Sequence, residues 1–323
     1  MGNAVGESTS IACSNISVAH ELCKVGACVR LWNFLRDLSA LCVRIMCLNN
    51  PLMKYCRFHL NGSAHYGLVE SVAGKNNNED QITRLLLQPP QDSDGDVEGL
   101  PSRRMDRIPL AEASLLPPVQ PSKIVCVGRN YREHAAELGH EIPKEPLLFF
   151  KPPSSLLPPG GTILRPKVSE RTDYEGELGV VIARRCHHLV ASDDVRPYIL
   201  GYTCVNDFTA RDLQDKDGQW TRAKGFDTFC PVGPLVADGL DPWAGVQVET
   251  RVNGDVRQSG NTQNFIFPLD VIIRYISQIM TLEPGDLIAT GTPKGVGPVV
   301  AGDAIEVSIE GVGQLRNVVA DRP

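Results

Sequence analysis

Two acidic segments carry the chemical signal that matters most in this chain. The first is Asp173-Tyr174-Glu175-Gly176-Glu177-Leu178, which runs into the apolar stretch Val180-Val181-Ile182. Side chains alternate faces along a strand, so Asp173, Glu175 and Glu177 fall on one side. Carboxylates at that spacing repel one another unless solvent or a cation stands between them. Hard oxygen donors of this kind suit Mg²⁺, Mn²⁺ or Ca²⁺. A solvent-facing acidic strand gives the same pattern. The second segment, Tyr202-Thr203-Cys204-Val205-Asn206-Asp207, carries an apolar strand straight into a third carboxylate. Asp207 could complete a site with Glu175 and Glu177. Arg211, four residues on, could hold an anionic substrate through two parallel hydrogen bonds. The plainer alternative is an Asp207 that caps the next turn and an Arg211 paired with Asp212.

The third candidate is His134-Ala135-Ala136-Glu137, where spacing i, i+3 on a helix puts imidazole and carboxylate on one face. Such a pair can orient and deprotonate a water, and a surface His–Glu contact is the plainer reading. Lys224 lies in the glycine-containing segment Ala223-Lys224-Gly225-Phe226-Asp227-Thr228, and its weight comes from its company. The stretch Thr290-Gly291-Thr292-Pro293-Lys294-Gly295-Val296-Gly297 reads as a rigid loop with little packing reason to exist. Cys126 and Cys204 sit inside apolar strands and read as core. The signatures G-x-S-x-G, H-E-x-x-H, a phosphate loop ending Gly-Lys-Ser/Thr, and G-x-G-x-x-G are all missing.

The elements that position these groups are strand-rich. Ile124–Val127, Gly176–Ala183, Ile199–Asn206, Asp286–Thr290 and Ala304–Glu310 read as strands, and Val248–Arg257 as a hairpin turning at Asn253-Gly254. Arg132–Leu138 reads as a short helix ended by Gly139. One longer helix spans about Pro268–Met280, with Leu269, Ile272, Ile273, Ile276 and Ile279 on its apolar face. Upstream, alternation begins at Met53, and residues 53–120 form a small strand-rich module with a polar loop at 88–106. The expected fold is α+β and β-dominated, without strand–helix alternation.

The 323 residues carry 32 Lys+Arg against 38 Asp+Glu, a net charge of −6, which argues against nucleic-acid binding. No stretch reads as a membrane span or a signal peptide, and ten cysteines are too dilute for a disulfide scaffold, so a reducing cytoplasm is expected. Five of ten cysteines lie in residues 1–52, a segment expected to be an upstream, poorly ordered extension outside the fold. Its cysteine pairs, Cys23/Cys28 and Cys42/Cys47, lack the usual zinc-finger spacing.

Taken in order, these segments resemble the fumarylacetoacetate hydrolase family. The matching stretches are Val127-Gly128-Arg129-Asn130-Tyr131, Asp173–Leu178, Asn206–Asp212, Lys224–Pro231, the Asn253-Gly254 hairpin, Gly260-Asn261-Thr262 and Thr290–Gly297. The resemblance spans about residues 123–320 and extends more weakly back to Met53. It implies a mixed β-roll catalytic domain over 121–323, preceded by the small module, and usually a homodimer. It implies a Mg²⁺ or Mn²⁺ ion on Glu175, Glu177 and Asp207, and a mobile lid bearing the dyad His134 and Glu137. It places a catalytic lysine at Lys224 and substrate-binding groups at Arg129, Arg211, Gln214 and Thr292. A further carboxylate ligand of the founding hydrolases corresponds here to Asn130. The implied activity is metal-dependent cleavage of acylpyruvate-type 2-oxo acids through an enolate. Tautomerisation, isomerisation or decarboxylation of dicarboxylic 2-oxo acids is the rival.

Overall fold

Period-two alternation of apolar and polar side chains sets most of this molecule, because a strand so patterned must bury one face. The computed structural model describes residues 52–73, 78–137 and 141–323, and Leu52–Pro323 form one compact unit. The expectations for residues 1–51, and for the helix end at Leu138 and Gly139, lie outside the described residues.

Strand β1 (Lys54–Leu60) turns through Asn61 and Gly62, both at positive φ, into β2 (Ser63–Ala73). That two-residue turn matches the right-handed twist of paired strands. Two further strands, β3 (Asn78–Leu86) and β4 (Ser102–Pro109), complete a meander. The chain continues through β5 (Ile124–Gly128), helix α1 (Arg132–Glu137), β6 (Leu147–Lys151) and β7 (Thr162–Arg165). Next come β8 (Thr172–Tyr174), β9 (Gly176–Ile182) and β10 (Ile199–Asn206). Two short helices follow, α2 (Arg211–Asp217) and α3 (Thr221–Lys224), and then β11 (Cys230–Ala237). The hairpin β12 (Gln247–Val252) and β13 (Asp255–Asn261) turns at Asn253-Gly254, again both at positive φ. Helix α4 (Leu269–Ile279), β14 (Leu287–Ala289), β15 (Ala304–Ile309) and β16 (Gly313–Asp321) close the fold.

A mixed sheet runs in the order β4-β3-β2-β1-β11-β10-β9-β14-β5-β6. The N-terminal meander joins it through Lys54 opposite Ala237 and Tyr55 opposite Val236. A five-stranded sheet runs β13-β12-β15-β16-β7, and β8 is the centre of a small three-stranded one. The fold is therefore α+β and β-dominated, as the sequence implies.

Strand β9 is buried on both faces, which is why it reads as a nearly continuous apolar run. Its Leu178, Val180 and Ile182 share a core with Val248, Val307 and Ile309 of the smaller sheet and with Ile272, Ile273 and Ile276 of α4. Its Val181 faces the other way, among Ile124, Cys126, Val232 and Val236. The five described cysteines are all free and buried, and burial pushes the Cys56, Cys204 and Cys230 thiols up to about 12, so they act as packing.

Candidate active site

The strand alternation that begins at Asp173 breaks at Glu175, which lies between β8 and β9. All three acidic side chains nonetheless line one cavity. Glu175 and Glu177 join a carboxylate cluster there, whereas Asp173 is held by Arg171 and Arg211. Asp207 lies just past the end of β10, the antiparallel neighbour of β9, where Gly176 faces Asn206. Its amide donates to the Glu175 carbonyl at 2.8 Å, while the Glu175 amide donates to Asn206 Oδ1 at 3.0 Å. Adjacent strand ends thus bring together carboxylates that lie about thirty positions apart in the chain. One oxygen each of Glu175, Glu177 and Asp207 lies within 4.8 Å of the others, and all three side chains are buried.

Buried carboxylates this close need compensating charge. Two lysines supply it. Lys224, at the end of α3, donates to Glu175 Oε2 at 2.8 Å and to Asp207 Oδ2 at 2.5 Å. Lys151, the last residue of β6, donates to Asp207 Oδ1 at 2.6 Å and to the Phe208 carbonyl at 3.1 Å. Burial pushes the Glu175 carboxyl up, but Lys224 and then Arg211 outweigh it and hold the group well below the usual range. Burial would depress Lys224, and Asp207 with Glu175 outweigh it, so its ammonium is held on. Glu177 is the exception. Burial, then Asp207 and Glu175, push its carboxyl well up, against Lys224 and a 2.8 Å hydrogen bond from the Gly291 amide. The cluster therefore carries a site for positive charge that the protein's own lysines do not satisfy at Glu177. The donor set is three hard carboxylate oxygens, which fits a divalent cation such as Mg²⁺ or Mn²⁺.

Arg211 is fully engaged. It donates to Asp173 Oδ2 at 2.9 Å, to Gln214 Oε1 at 2.5 Å, and to Glu175 Oε1. Asp173 also takes a two-pronged contact from Arg171. Asp212 instead accepts from Ser169, so the expected alternative pairing with Arg211 does not form. Arg129 differs: its backbone is left-handed, at φ 58°, and its guanidinium has no ion-pair partner among the described residues. Thr292 is buried, donating to the Gly176 carbonyl and accepting from Gln258. Asn130 spends its amide as a clamp, to the Phe267 and Thr290 carbonyls and from the Phe267 amide, so it is no ligand.

Helix α1 brings His134 over the cluster. Its Nδ1 lies 3.3 Å from Glu137 Oε2, and Glu137 in turn accepts from the Gly295 amide. Burial lowers the His134 pKa against the opposing pull of Glu175 and Glu137, which favours a neutral imidazole. With Nδ1 donating to Glu137, Nε2 is left as a base. The cavity has a volume of about 820 Å³, and its walls include Arg129, His134, Glu175, Glu177, Asp207, Arg211, Gln214, Lys224 and Thr292. Of the ten residues expected to act, only Glu137 stands outside that lining, behind the imidazole it orients.

A family model described as fumarylacetoacetate (FAA) hydrolase C-terminal matches residues 123–320. The chain belongs to the fumarylacetoacetate hydrolase family. An N-terminal model, Rv2993c-like, matches residues 53–118 of this family member. An uncharacterised protein of Methanocaldococcus jannaschii is 52% identical over 203 residues, 63% of this chain and 85% of that protein. The oxaloacetate tautomerase YisK of Bacillus subtilis is 42% identical over 224 residues, 65% of this chain and 74% of that one. Among solved structures, a 2-hydroxyhepta-2,4-diene-1,7-dioate isomerase from Mycobacterium marinum matches with a TM-score of 0.72 at 38% identity, covering 84% of this chain and 99% of that one.

Two residues of this fumarylacetoacetate hydrolase relative escape sequence reasoning. Lys151 ends the run Leu147-Leu148-Phe149-Phe150, and the available signal is its place on the Leu147–Phe149 face. Gln258 ties the Gly176 amide to the Thr292–Pro293 turn from within the hairpin, and its sequence gives no sign of that. No helix among the described residues is long and apolar enough to cross a membrane.

Proposed function

We propose that this enzyme catalyses divalent-cation-dependent proton transfer on 2-oxo acids, as a keto–enol tautomerase or isomerase of dicarboxylic 2-oxo acids. The observation that carries this reading is the buried His134, which shares the cavity with the acidic cluster and has Nδ1 held by Glu137. The names of the Bacillus subtilis tautomerase and the Mycobacterium marinum isomerase support it. Glu175, Glu177 and Asp207 would hold Mg²⁺ or Mn²⁺. Bound there, the cation supplies a Lewis acid that polarises the 2-oxo carbonyl. Lys224 places positive charge beside the oxygen where negative charge develops. His134 Nε2 takes the proton from the carbon next to the carbonyl and returns it to the oxygen, or runs the transfer in reverse. Glu137 keeps the imidazole in the tautomer that makes this possible. Arg129 is the uncommitted guanidinium for a second carboxylate.

Hydrolytic C–C cleavage of acylpyruvates is the second reading. The same lone pair on His134 would then take a proton from water, and a cavity of about 820 Å³ leaves room for that water beside a substrate. Decarboxylation would begin from the same substrate pose. Incubation with Mg²⁺ and oxaloacetate, a hydroxymuconate-type acid, acetylpyruvate and fumarylpyruvate, followed by NMR, separates the outcomes. Proton shift without cleavage is expected. Cleavage products as the dominant signal would favour the hydrolase, and no change in any substrate would sink both. A homodimer completes the proposal, and light scattering at twice the chain mass is the expected result.

A further inference from the structure

Alternation along β6 places Leu147, Phe149 and Lys151 on one face of the strand. Lys151 holds Asp207 at the cation end. One step out, the Lys224 ammonium stands 5.0 Å from the centre of the Phe149 ring. Another step out, Trp220 packs edge-on against Phe149, with ring centres 5.0 Å apart and planes at 71°. Beyond that lies Gly128, where a side-chain carbon would come within 2.9 Å of Trp220 and 3.1 Å of Leu147. The glycine leaves room for the indole to approach the strand end closely. Leu147, Leu148, Phe149, Trp220 and Gly128 all line the catalytic cavity.

This strip is the open margin of a core, against which Phe149 packs. Phe149 and Trp220 are half-buried and Leu147 is 39% exposed. Another part of the lining is polar, and there Arg171, Asp173, Arg211 and Gln214 bond one another. The cavity therefore has a charged head, an apolar side and a polar side already spoken for. Aromatic and aliphatic surface left open beside a charged anchor binds the apolar part of an amphipathic ligand.

We propose that Leu147, Phe149 and Trp220 form a subsite for the substrate's chain beyond its 2-oxo acid head, selecting a planar, apolar segment over a compact one. This rests on the reading of the acidic cluster as the seat of a cation-bound 2-oxo acid. Trp220 is the specificity residue. It also precedes α3, the helix that carries Lys224, so a merely structural role has to be told apart from a selective one.

The test is equilibrium binding to the full chain with Mg²⁺, by calorimetry, using oxalate as a head-only ligand and phenylpyruvate as a head with a planar apolar tail. The readout is the ratio of the two dissociation constants. Trp220→Ala should cut the preference for phenylpyruvate about tenfold or more, the range expected when a hydrophobic pocket loses its wall. Leu147→Ala, at the exposed end of the strip, should cut it about threefold, and it keeps the idea testable if the tryptophan variant fails to fold. A structural role for Trp220 would weaken both ligands alike and leave the ratio unchanged, which overturns the subsite. So does a wild type that binds phenylpyruvate no more tightly than pyruvate. If oxalate fails to bind wild type even with Mg²⁺, the cation-site reading itself falls, and the subsite with it. Tight Mg²⁺-dependent oxalate binding with an unmoved ratio sinks the subsite alone.

Discussion

The two sides of the cavity are built in opposite ways. On the acidic side the charged groups come from strand ends or a short helix packed against one, and Asp207 and Glu175 are each held by several partners. Asp207 accepts from Lys151 and Lys224, Glu175 from Lys224 and Arg211, and Glu177 from the Gly291 amide. On the lid side His134 comes from a helix of six residues. That helix is tied down by the Glu137–Gly295 contact and by an exposed Glu133–Lys294 pair at 2.9 Å. Buried networks of charge are costly to disturb, and exposed pairs contribute little. The acidic groups are thus braced from several elements, whereas His134 rides on a short helix with few ties; in the proposed reaction that helix carries the proton-transfer group.

The contrast predicts that damage on the acidic side is severe and touches the metal, whereas damage on the lid side touches only the proton. The largest effect belongs to Glu175→Gln combined with Glu177→Gln. Turnover should fall by about three orders of magnitude or more and metal content should be lost, because the charge-stabilising element goes. Measuring both metal content and rate checks this, and unchanged metal content would break the assignment. Next, His134→Ala should lower kcat by about 10²- to 10⁴-fold while Mn²⁺ still binds within a few-fold of wild type. Equal loss of metal would mean the two sides are not separable.

Lys151→Met should weaken Mn²⁺ binding by about 10- to 100-fold, since a residue that orients a ligand typically carries that much. Paramagnetic resonance of Mn²⁺ reads this without reference to turnover, and tighter binding would show that charge repulsion outweighs orientation. The pH profile is a gentler test. His134 must be neutral to accept a proton, and burial lowers its pKa from the ordinary 6.5. The rate should therefore hold as pH falls through 6.5 and drop only below it, and His134→Ala should remove that limb. The smallest effect is expected from Lys294→Ala, which loses one exposed ion pair worth about 0–1 kcal/mol. Its KM should move no more than about threefold.

Much of the site is legible in the chain because local periodicity fixes it. Extended chain at spacing two makes Glu175, just before β9, a neighbour of Glu177, and spacing three in a helix makes His134 and Glu137 neighbours. The Asn253-Gly254 turn follows from the positive φ that both residues adopt. Asp173 shares the cavity of Glu175 and Glu177, as its spacing implies, but Arg171 and Arg211 take it up and keep it out of the cluster. Arg211 and Asp212 look like partners by proximity in sequence, yet Arg211 reaches Asp173, 38 positions away.

The sequence by itself determined the β-rich class, the pair of glutamates, the strand-end aspartate, the dyad and the family. These depend on the repeat of the backbone or on motifs in fixed order. Only the tertiary structure decided that Lys151 meets Asp207 from 56 positions away, and that Gln258 braces Gly176 from 82. It alone showed that Arg211 is spent on carboxylates while Arg129 has no ion-pair partner among the described residues, and that Phe149 and Trp220 stand beside Lys224. The physical reason is that the partner of a buried charge is set by which strand ends the sheets bring together. That order depends on how all the apolar faces pack at once, and no local spacing records it.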